Sequence, residues 1–276
     1  MLKPTTASGY DAAHAARVRE TCLYVATKLG DLSDEIVVVG GLVPSLLIDQ
    51  ESIGQRHVGT ADLDIGLSVA VFHEERYQAL SDRLRQAGFA PDTNERGQPT
   101  RQRWQIYGPP KVTVDFLIPP TGPDDKPGHL KNIESDFAAV IVPGLRIALL
   151  DRQLIMLEGP TIRGERGRRA VWVCGPAAFV VMKALALHLR GENKDAYDLT
   201  YLLRFGPSLE VVAKQLTLMK DEPEVREGLG YLREAFATSD SIGPRRAAEF
   251  LLGEPNDAEE ADAYGVVQDL LALVPA

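Results

Sequence analysis

Apolar residues recur at helical spacing near the start of the chain and again after residue 175, and short β-branched runs fill the part between. Apolar positions three and four residues apart share one face of a helix, whereas a buried strand is a short continuous apolar run. The pattern predicts helices over 11–29, 42–48, 73–87, 176–190, 194–205, 207–219, 223–237, 244–252 and 258–273. It predicts strands over 35–39, 63–69, 101–107, 111–118, 137–142, 153–157 and 170–174.

The pattern changes at Gly175-Pro176, where the strand-like runs stop and helical spacing takes over. Proline suits the first turn of a helix, because the N–H group that it lacks has no partner inside the helix there. We therefore predict an α+β protein with two domains. A mixed-sheet domain would span residues 1–175, and an all-helical domain would span residues 176–276.

The composition is typical of a folded chain that does not enter a membrane. Of the 276 residues, 45% are hydrophobic and 25% are charged, which suffices for a sizeable core and argues against global disorder. No apolar run reaches the roughly 18 residues that a membrane span needs, and residues 1–6 lack an apolar signal core. Cys22 and Cys174 have no metal-type spacing, so we expect buried free thiols and a cytoplasmic location.

Two glycines and two aspartates carry the first chemical signal. Gly40 and Gly41 follow the strand predicted over 35–39, and Asp62 and Asp64 stand two residues apart at the next strand. Side chains alternate along a strand, so the two carboxylates share one face and repel each other. A divalent cation removes this conflict, and Mg²⁺ prefers carboxylate oxygens. Because glycine lets backbone N–H groups approach a phosphate, this stretch predicts a metal-dependent nucleotide site.

Asp115 supplies a third carboxylate in the middle of the β-forming run 112–118. If its strand lies beside the strand of the other two aspartates, the three carboxylates converge at the rim of one sheet. Three carboxylates can hold two Mg²⁺ ions that activate an attacking hydroxyl and stabilise leaving pyrophosphate. The alternative is structural: Asp115 pairs with an arginine such as Arg101 or Arg103.

The glycine pair and the three aspartates resemble the nucleotidyltransferase superfamily that is built on the polymerase-beta-like fold. The second half of the chain narrows this resemblance. Segment 176–190, which contains Lys183, and the following Lys194, Asp195 and Asp198 resemble the AbiEii/AbiGii toxin family, which includes the MenT-type toxins.

This resemblance covers about residues 35–205 and implies a two-metal nucleotidyltransferase that uses Mg²⁺, or Mn²⁺, with an NTP as substrate. It implies an RNA acceptor such as the 3′ end of tRNA, and a separately encoded antitoxin as partner. The metal ligands that it implies are Asp62, Asp64 and Asp115. The catalytic residues would be these three with Lys183 and Asp198, and the nucleotide-binding residues would be Gly40, Gly41, Ser45, Thr60, Arg56 and Asp195.

The residues around Lys183 allow several interpretations of this lysine. It stands among apolar residues at helical spacing, with Arg190 on the same face, and a lone lysine there would extend its ammonium to solvent. Asp195 and Asp198 lie about one turn apart on the next predicted helix. The four residues form either an ion-pair network between two helices or a wall that faces the triphosphate or the base.

The chain departs from the family pattern before Asp62. Members commonly carry an arginine four residues before the first metal aspartate and a serine or threonine two residues before it. Thr60 fits, but Val58 occupies the arginine position, and the nearest candidates are Arg56 and His57. Ser45 is either a phosphate contact or an ordinary helix-surface serine.

The basic residues of the chain help to predict whether the acceptor of the nucleotide is an RNA. The net charge of −9 argues against indiscriminate nucleic-acid binding. Clustered arginines can nonetheless bind an RNA backbone or a triphosphate, unless they form a solvated charged loop. The basic residues concerned are Arg163, Arg166, Arg168 and Arg169, with Arg101, Arg103 and Lys111 on the preceding strand pair.

Two other functions stay open. The first keeps the chemistry and changes the acceptor, as in a small-molecule nucleotidyltransferase of the aminoglycoside-modifying kind. The second is a catalytically silent module that binds a nucleotide or a protein. The arginines favour RNA over a small molecule, and the three mutually repelling carboxylates argue against a silent module.

Overall fold

The strands that the structure describes join in one mixed sheet. The computed structural model describes residues 3–68, 74–106 and 111–275, with the backbone alone for 74–77. Its strands are β1 Ile36–Val39, β2 Asp62–Leu67, β3 Phe89–Thr93, β4 Pro99–Ile106, β5 Val112–Ile118, β6 Leu130–Asn132, β7 Ala138–Ile141, β8 Arg152–Pro160 and β9 Arg166–Cys174. They lie in the order β3-β4-β5-β2-β1-β9-β8, with β7 beside β5 and β6 beside β7.

The residues group into two compact units. The sheet unit consists of Ala12–Leu42 and Thr60–Cys174, and the helical unit consists of Met1–Asp11, Val43–Gly59 and Gly175–Ala276. The helices of the sheet unit are α1 Ala12–Leu29, α4 Glu74–Gln86 and α5 Leu145–Leu150. Those of the helical unit are α2 Val43–Leu47, α3 Gln50–Ile53, α6 Pro176–Arg190, α7 Asn193–Phe205, α8 Leu209–Leu218, α9 Pro223–Ala235, α10 Ile242–Leu252 and α11 Asp257–Leu273.

The most deeply buried strand of the sheet is β1. All four residues of β1 are buried, as expected for a short β-branched run. Trp104, Phe116 and Phe137 pack edge to face on β4, β5 and the residue before β7. This arrangement suits the ring quadrupoles and fixes the lateral position of β4 against β5.

Helix α1 packs against β8 and β9 through the apolar face that the sequence predicted. Val18, Cys22 and Val25 on this face are buried, and burial raises the pKa of the Cys22 thiol to about 12. Cys174 is buried as well, and neither cysteine forms a disulfide bond with the described part of the chain, as predicted.

In the helical unit, α6 packs between α7 and α9. Gly228 on α9 brings the two backbones close, since a Cβ atom there would lie 3.2 Å from Val181 Cγ1 on α6. Phe179, Phe236 and Phe250 are fully buried in this unit. This packing holds α6, which carries Lys183, against α7, which carries Asp195 and Asp198.

The α+β class predicted from the sequence is confirmed. The six predicted C-terminal helices are present, with ends within two residues of their predicted positions. The division into domains at residue 175 stays a prediction, and in the structure Val43–Gly59 groups with the C-terminal helices. Within the part of the chain that the structure describes, no helix combines the length and apolar character needed to cross a bilayer.

The prediction of local structure was incomplete. Strands β3 and β6 and helices α3 and α5 were not predicted, and β9 begins at Arg166 rather than at residue 170. Arg166, Arg168 and Arg169 are thus part of a strand, whereas Arg163 lies in the turn before it. His73 and the turn at 108–110 lie outside the described residues.

Candidate active site

Neighbouring strands bring the three carboxylates together. β2 and β5 run parallel, with Asp64 opposite Asp115 and Asp62 opposite Thr113. One oxygen from each of Asp62, Asp64 and Asp115 lies within 4.8 Å of the others. Asp62 is only 3% exposed, so the cluster holds negative charge partly inside the protein. The sequence predicted that the carboxylates would converge if these two strands were neighbours, and the structure meets that condition.

Gly40 makes room for one of these carboxylates. Val39 lies opposite Asp64 across the antiparallel pair of β1 and β2, and the chain then turns at Gly40 with a φ of +72°. A Cβ atom on Gly40 would lie 1.9 Å from Asp64 Oδ2. The glycine is therefore required both by its left-handed backbone and by the carboxylate beside it. The phosphate contact assigned to Gly40 and Gly41 stays a prediction.

Thr60 orients Asp62 from the start of β2. Its buried hydroxyl lies 3.2 Å from the Asp62 carbonyl oxygen and 3.3 Å from Asp62 Oδ1. A hydrogen bond to the carboxylate limits the side-chain rotamers of Asp62. Thr60 thus contacts a candidate metal ligand, and the nucleotide contact that the resemblance implied for it stays a prediction.

Arg103 enters the cluster from β4, where it lies opposite Asp115. Its Nε donates to Asp115 Oδ1 at 2.7 Å, and its Nη2 donates to Asp115 Oδ2 at 2.5 Å and to Asp62 Oδ2 at 3.3 Å. The hydrogen bonds to Asp115 raise the pKa of the guanidinium, which stays charged. The pairing of Asp115 with an arginine, left open by the sequence, is therefore present together with the triad.

The cluster fits a divalent cation of the Mg²⁺ or Mn²⁺ type. Its donors are carboxylate oxygens, which hard cations prefer, and they lie close enough to share one ion. The three carboxylates carry three formal negative charges and Arg103 offsets one of them, so the cluster keeps a net negative charge that attracts a divalent cation. The residues that would hold the ion are Asp62, Asp64 and Asp115.

A second polar cluster lies within the helical unit, between α6 and α7. Lys183 Nζ donates to Asp195 Oδ1 at 2.8 Å and to Asp198 Oδ2 at 2.6 Å. Arg190 binds Asp195 through two hydrogen bonds of 2.7 Å, and Lys194 Nζ donates to Asp198 Oδ1 at 2.6 Å. These contacts form the ion-pair network that the sequence allowed. A role of Lys183 toward the triphosphate or the base stays a prediction.

The charges of this cluster stabilise one another. Burial acts to lower the pKa of Lys183, but the attraction of Asp195 and Asp198 outweighs it and raises that pKa. Burial acts to raise the pKa of Asp198, but Lys183 and Lys194 hold it well below its ordinary value. The lysine and the aspartates are therefore all charged near neutral pH.

His57 is a member of this cluster that sequence reasoning did not place there. Its Nε2 lies 2.9 Å from Asp198 Oδ1, and its Nδ1 accepts a hydrogen bond of 3.1 Å from the Gly59 N–H. An Nδ1 that accepts carries no proton, so Nε2 holds the proton and donates it to Asp198. Tyr197 and Tyr201 enclose the ring, and burial lowers the pKa of His57 to about 4.

Two further residues, Ser45 and Arg56, were also predicted to bind the nucleotide. Ser45 lies half-buried on α2, and Arg56 is exposed in the loop before His57. Both belong to the helical unit. In the arginine run, Arg166, Arg168 and Arg169 are exposed on β9, and Arg168 Nε lies 3.8 Å from Glu158 Oε2.

A glycine turn beside three carboxylates on neighbouring strands is the kind of site that nucleotidyltransferases use. The family model described as "Nucleotidyl transferase AbiEii toxin, Type IV TA system" matches residues 28–260 of this chain. The chain therefore belongs to the AbiEii nucleotidyltransferase toxin family, and the resemblance noted from its motifs is confirmed.

A solved structure is also similar, that of an antigenic nucleotidyltransferase-like protein from Paracoccidioides brasiliensis. The two chains are 15% identical, the match covers 82% of this chain and 92% of the other, and the TM-score is 0.45. No curated protein matches the chain.

Proposed function

We propose that this protein transfers a nucleoside monophosphate from an NTP to an RNA acceptor, such as the 3′ end of tRNA, and releases pyrophosphate. The convergence of Asp62, Asp64 and Asp115 on neighbouring strands of one sheet carries the proposal. Membership of a nucleotidyltransferase toxin family supports it and makes a separately encoded antitoxin the expected partner. Blocking tRNA ends in this way would stop aminoacylation and arrest growth.

The three aspartates would hold one or two Mg²⁺ ions, with Mn²⁺ as a substitute. When bound, such ions stabilise the charge of the triphosphate and of the departing pyrophosphate and lower the pKa of the attacking hydroxyl. The chain supplies the preorganisation, because Gly40 leaves space for Asp64 and Thr60 orients Asp62. The carboxylates then need little rearrangement when the substrate arrives.

The reaction is an in-line attack of the acceptor hydroxyl on the α-phosphate. We assign to Asp115 the proton of that hydroxyl, since a carboxylate at the site can accept it once Arg103 no longer binds both oxygens. The backbone N–H groups at Gly40 and Gly41 would bind the β- and γ-phosphates. Ser45 and Arg56 would add polar contacts to the nucleotide.

Lys183 and Asp198 would act as a pair. We propose that the ammonium faces the triphosphate or the base, and that Asp198, held by His57 and Lys194, fixes its position. Asp195, itself bound by Arg190, would hold the same ammonium from the other side. A buried lysine fixed by two carboxylates keeps its charge, which is what an anionic substrate requires.

An acceptor panel tests the proposal. The pure protein is incubated with Mg²⁺, with each of the four α-labelled NTPs in turn, and with either total tRNA or an aminoglycoside. We expect label on tRNA with one preferred NTP. Label on the aminoglycoside alone would replace the RNA acceptor by a small molecule. NTP binding without any transfer would identify a silent binding module instead.

A further inference from the structure

We propose that Arg103 is an internal competitor of the divalent cation: it occupies Asp115 and Asp62 while the metal is absent and binds the triphosphate once the metal has displaced it. This inference rests on the proposed function, because it concerns the same three carboxylates. The resemblance based on the glycines and aspartates gave Arg103 no role at the site, and this inference assigns one.

The first support is the geometry of the contact. The guanidinium binds both oxygens of Asp115, at 2.7 Å and 2.5 Å, and reaches Asp62 at 3.3 Å. This side-on arrangement is the strongest that arginine makes with a carboxylate. The oxygens it uses belong to two of the three residues that could hold a metal ion.

The second support is the balance of charge. Without a metal ion, the cluster would place three carboxylates within 4.8 Å of one another, one of them 3% exposed. Like charges held so close are unfavourable, and Arg103 offsets part of that repulsion. A divalent cation offsets more of it and repels the guanidinium, so the two cations exclude each other from the same oxygens.

The third support is that Arg103 can leave. Its side chain is 32% exposed, and the stem of an arginine spans several rotatable bonds. A guanidinium released beside the metal site would meet the phosphates of the NTP, which it binds in the same bidentate manner as a carboxylate. Metal loading would thereby switch Arg103 from the carboxylates to the substrate.

The test measures Mn²⁺ binding to the full-length protein without nucleotide, by the loss of the free Mn²⁺ electron paramagnetic resonance signal. We compare the wild type with Arg103→Met, which keeps the length of the side chain and removes its charge. Arg101→Met is the matched control, since Arg101 is another arginine of β4, two residues away in the sequence. Arg103→Met should bind Mn²⁺ about tenfold more tightly, because one opposing unit charge is gone, whereas Arg101→Met should bind as the wild type does.

Nucleotide binding supplies the second readout. At saturating Mn²⁺, Arg103→Met should bind a non-hydrolysable NTP analogue about tenfold more weakly, because a charged hydrogen-bond donor to phosphate is lost. Arg103→Lys keeps the charge without the fork and should lie between the two in both assays. Mn²⁺ should also raise the melting temperature of Arg103→Met by more than that of the wild type.

The outcomes separate the two claims. If the wild type binds Mn²⁺ and Arg103→Met binds it equally or more weakly, Arg103 is a structural ion pair and the inference is wrong, while the metal site stands. If the wild type and Asp62→Asn both fail to bind Mn²⁺, the metal site of the proposed function is itself wrong, and the competition falls with it. Should Arg103→Met not fold, Arg103→Lys decides by the same two readouts.

Discussion

At the scale of single residues, the site depends on side chains whose surroundings leave them little choice of position. Gly40 has a left-handed backbone and lies against Asp64, and Thr60 fixes Asp62. His57 accepts one hydrogen bond and donates another, so its tautomer is set. Each of these three uncharged residues thus limits where one carboxylate can lie: Gly40 acts on Asp64, Thr60 on Asp62 and His57 on Asp198.

Gly40→Ala tests the space beside Asp64. Gly54→Ala is the matched control, because Gly54 also has positive φ, at +67°, with no atom within 4 Å of its Cβ position. The left-handed backbone should cost each variant about 1 kcal/mol of unfolding free energy. Gly40→Ala should lose more, on the order of 2–3 kcal/mol, because Asp64 must also move. Chemical denaturation measures both, and equal losses would show that Asp64 adapts freely.

At the scale of elements, α6 and α7 are joined by charges that burial makes interdependent. Lys183 holds Asp195 and Asp198, and each aspartate has a second basic partner. Removal of one buried charge leaves its partners unpaired in an apolar surrounding, which is more harmful than replacement of the whole network. The cluster therefore has a structural effect whether or not it also binds substrate.

Lys183→Met should lower the free energy of unfolding by about 3–5 kcal/mol, since it leaves two buried carboxylates without their shared cation. Lys194→Met removes one contact to Asp198 and the contact of the ammonium with the Tyr10 ring, and it is expected to cost less. Urea denaturation gives both values. If nucleotide transfer by Lys183→Met, assayed well below its melting temperature, equals that of the wild type, the lysine serves the fold alone.

Hydrophobic spacing predicted the C-terminal helices and β1, β2 and β5, because their patterns are regular over many residues. The shared face of Asp62 and Asp64 follows directly from the two-residue repeat of a strand. The pairing of β2 with β5 stayed conditional, since no local signal sets which distant strands become neighbours.

Other features had no local signal. β3 contains Pro91 and Asp92, which are uncommon in strands, and it was therefore missed. The contact of Arg103 with Asp115 requires the register of β4 against β5. His57 stands in a polar segment, and only the tertiary fold shows that Tyr197, Tyr201 and Asp198 bury it.

At the scale of the whole molecule, the buried histidine makes stability depend on pH. The folded-state pKa of His57 is lowered from 6.5 to about 4, so the unfolded chain binds the proton more readily. Its contribution is fully present above pH 6.5 and is lost as the pH falls toward about 4. The loss from this residue is on the order of 3 kcal/mol.

His57→Gln should flatten this dependence, because an amide can still donate to Asp198 but does not titrate. Melting temperatures measured from pH 7 to pH 4 should fall less steeply for the variant than for the wild type. Parallel curves would mean that His57 changes its protonation without consequence for the fold.

The central claim is that three carboxylates on adjacent strands make this family member a metal-dependent nucleotidyltransferase. Its most direct test is the rate of NMP transfer from the labelled NTP to tRNA by wild type, Asp62→Asn and Asp92→Asn. Asp92 is a buried aspartate of the same sheet that pairs with Lys111, so its variant controls for a lost ion pair. We predict transfer by the wild type and by Asp92→Asn with Mg²⁺, none with a chelator, and none by folded Asp62→Asn. Undiminished transfer by Asp62→Asn would contradict the account.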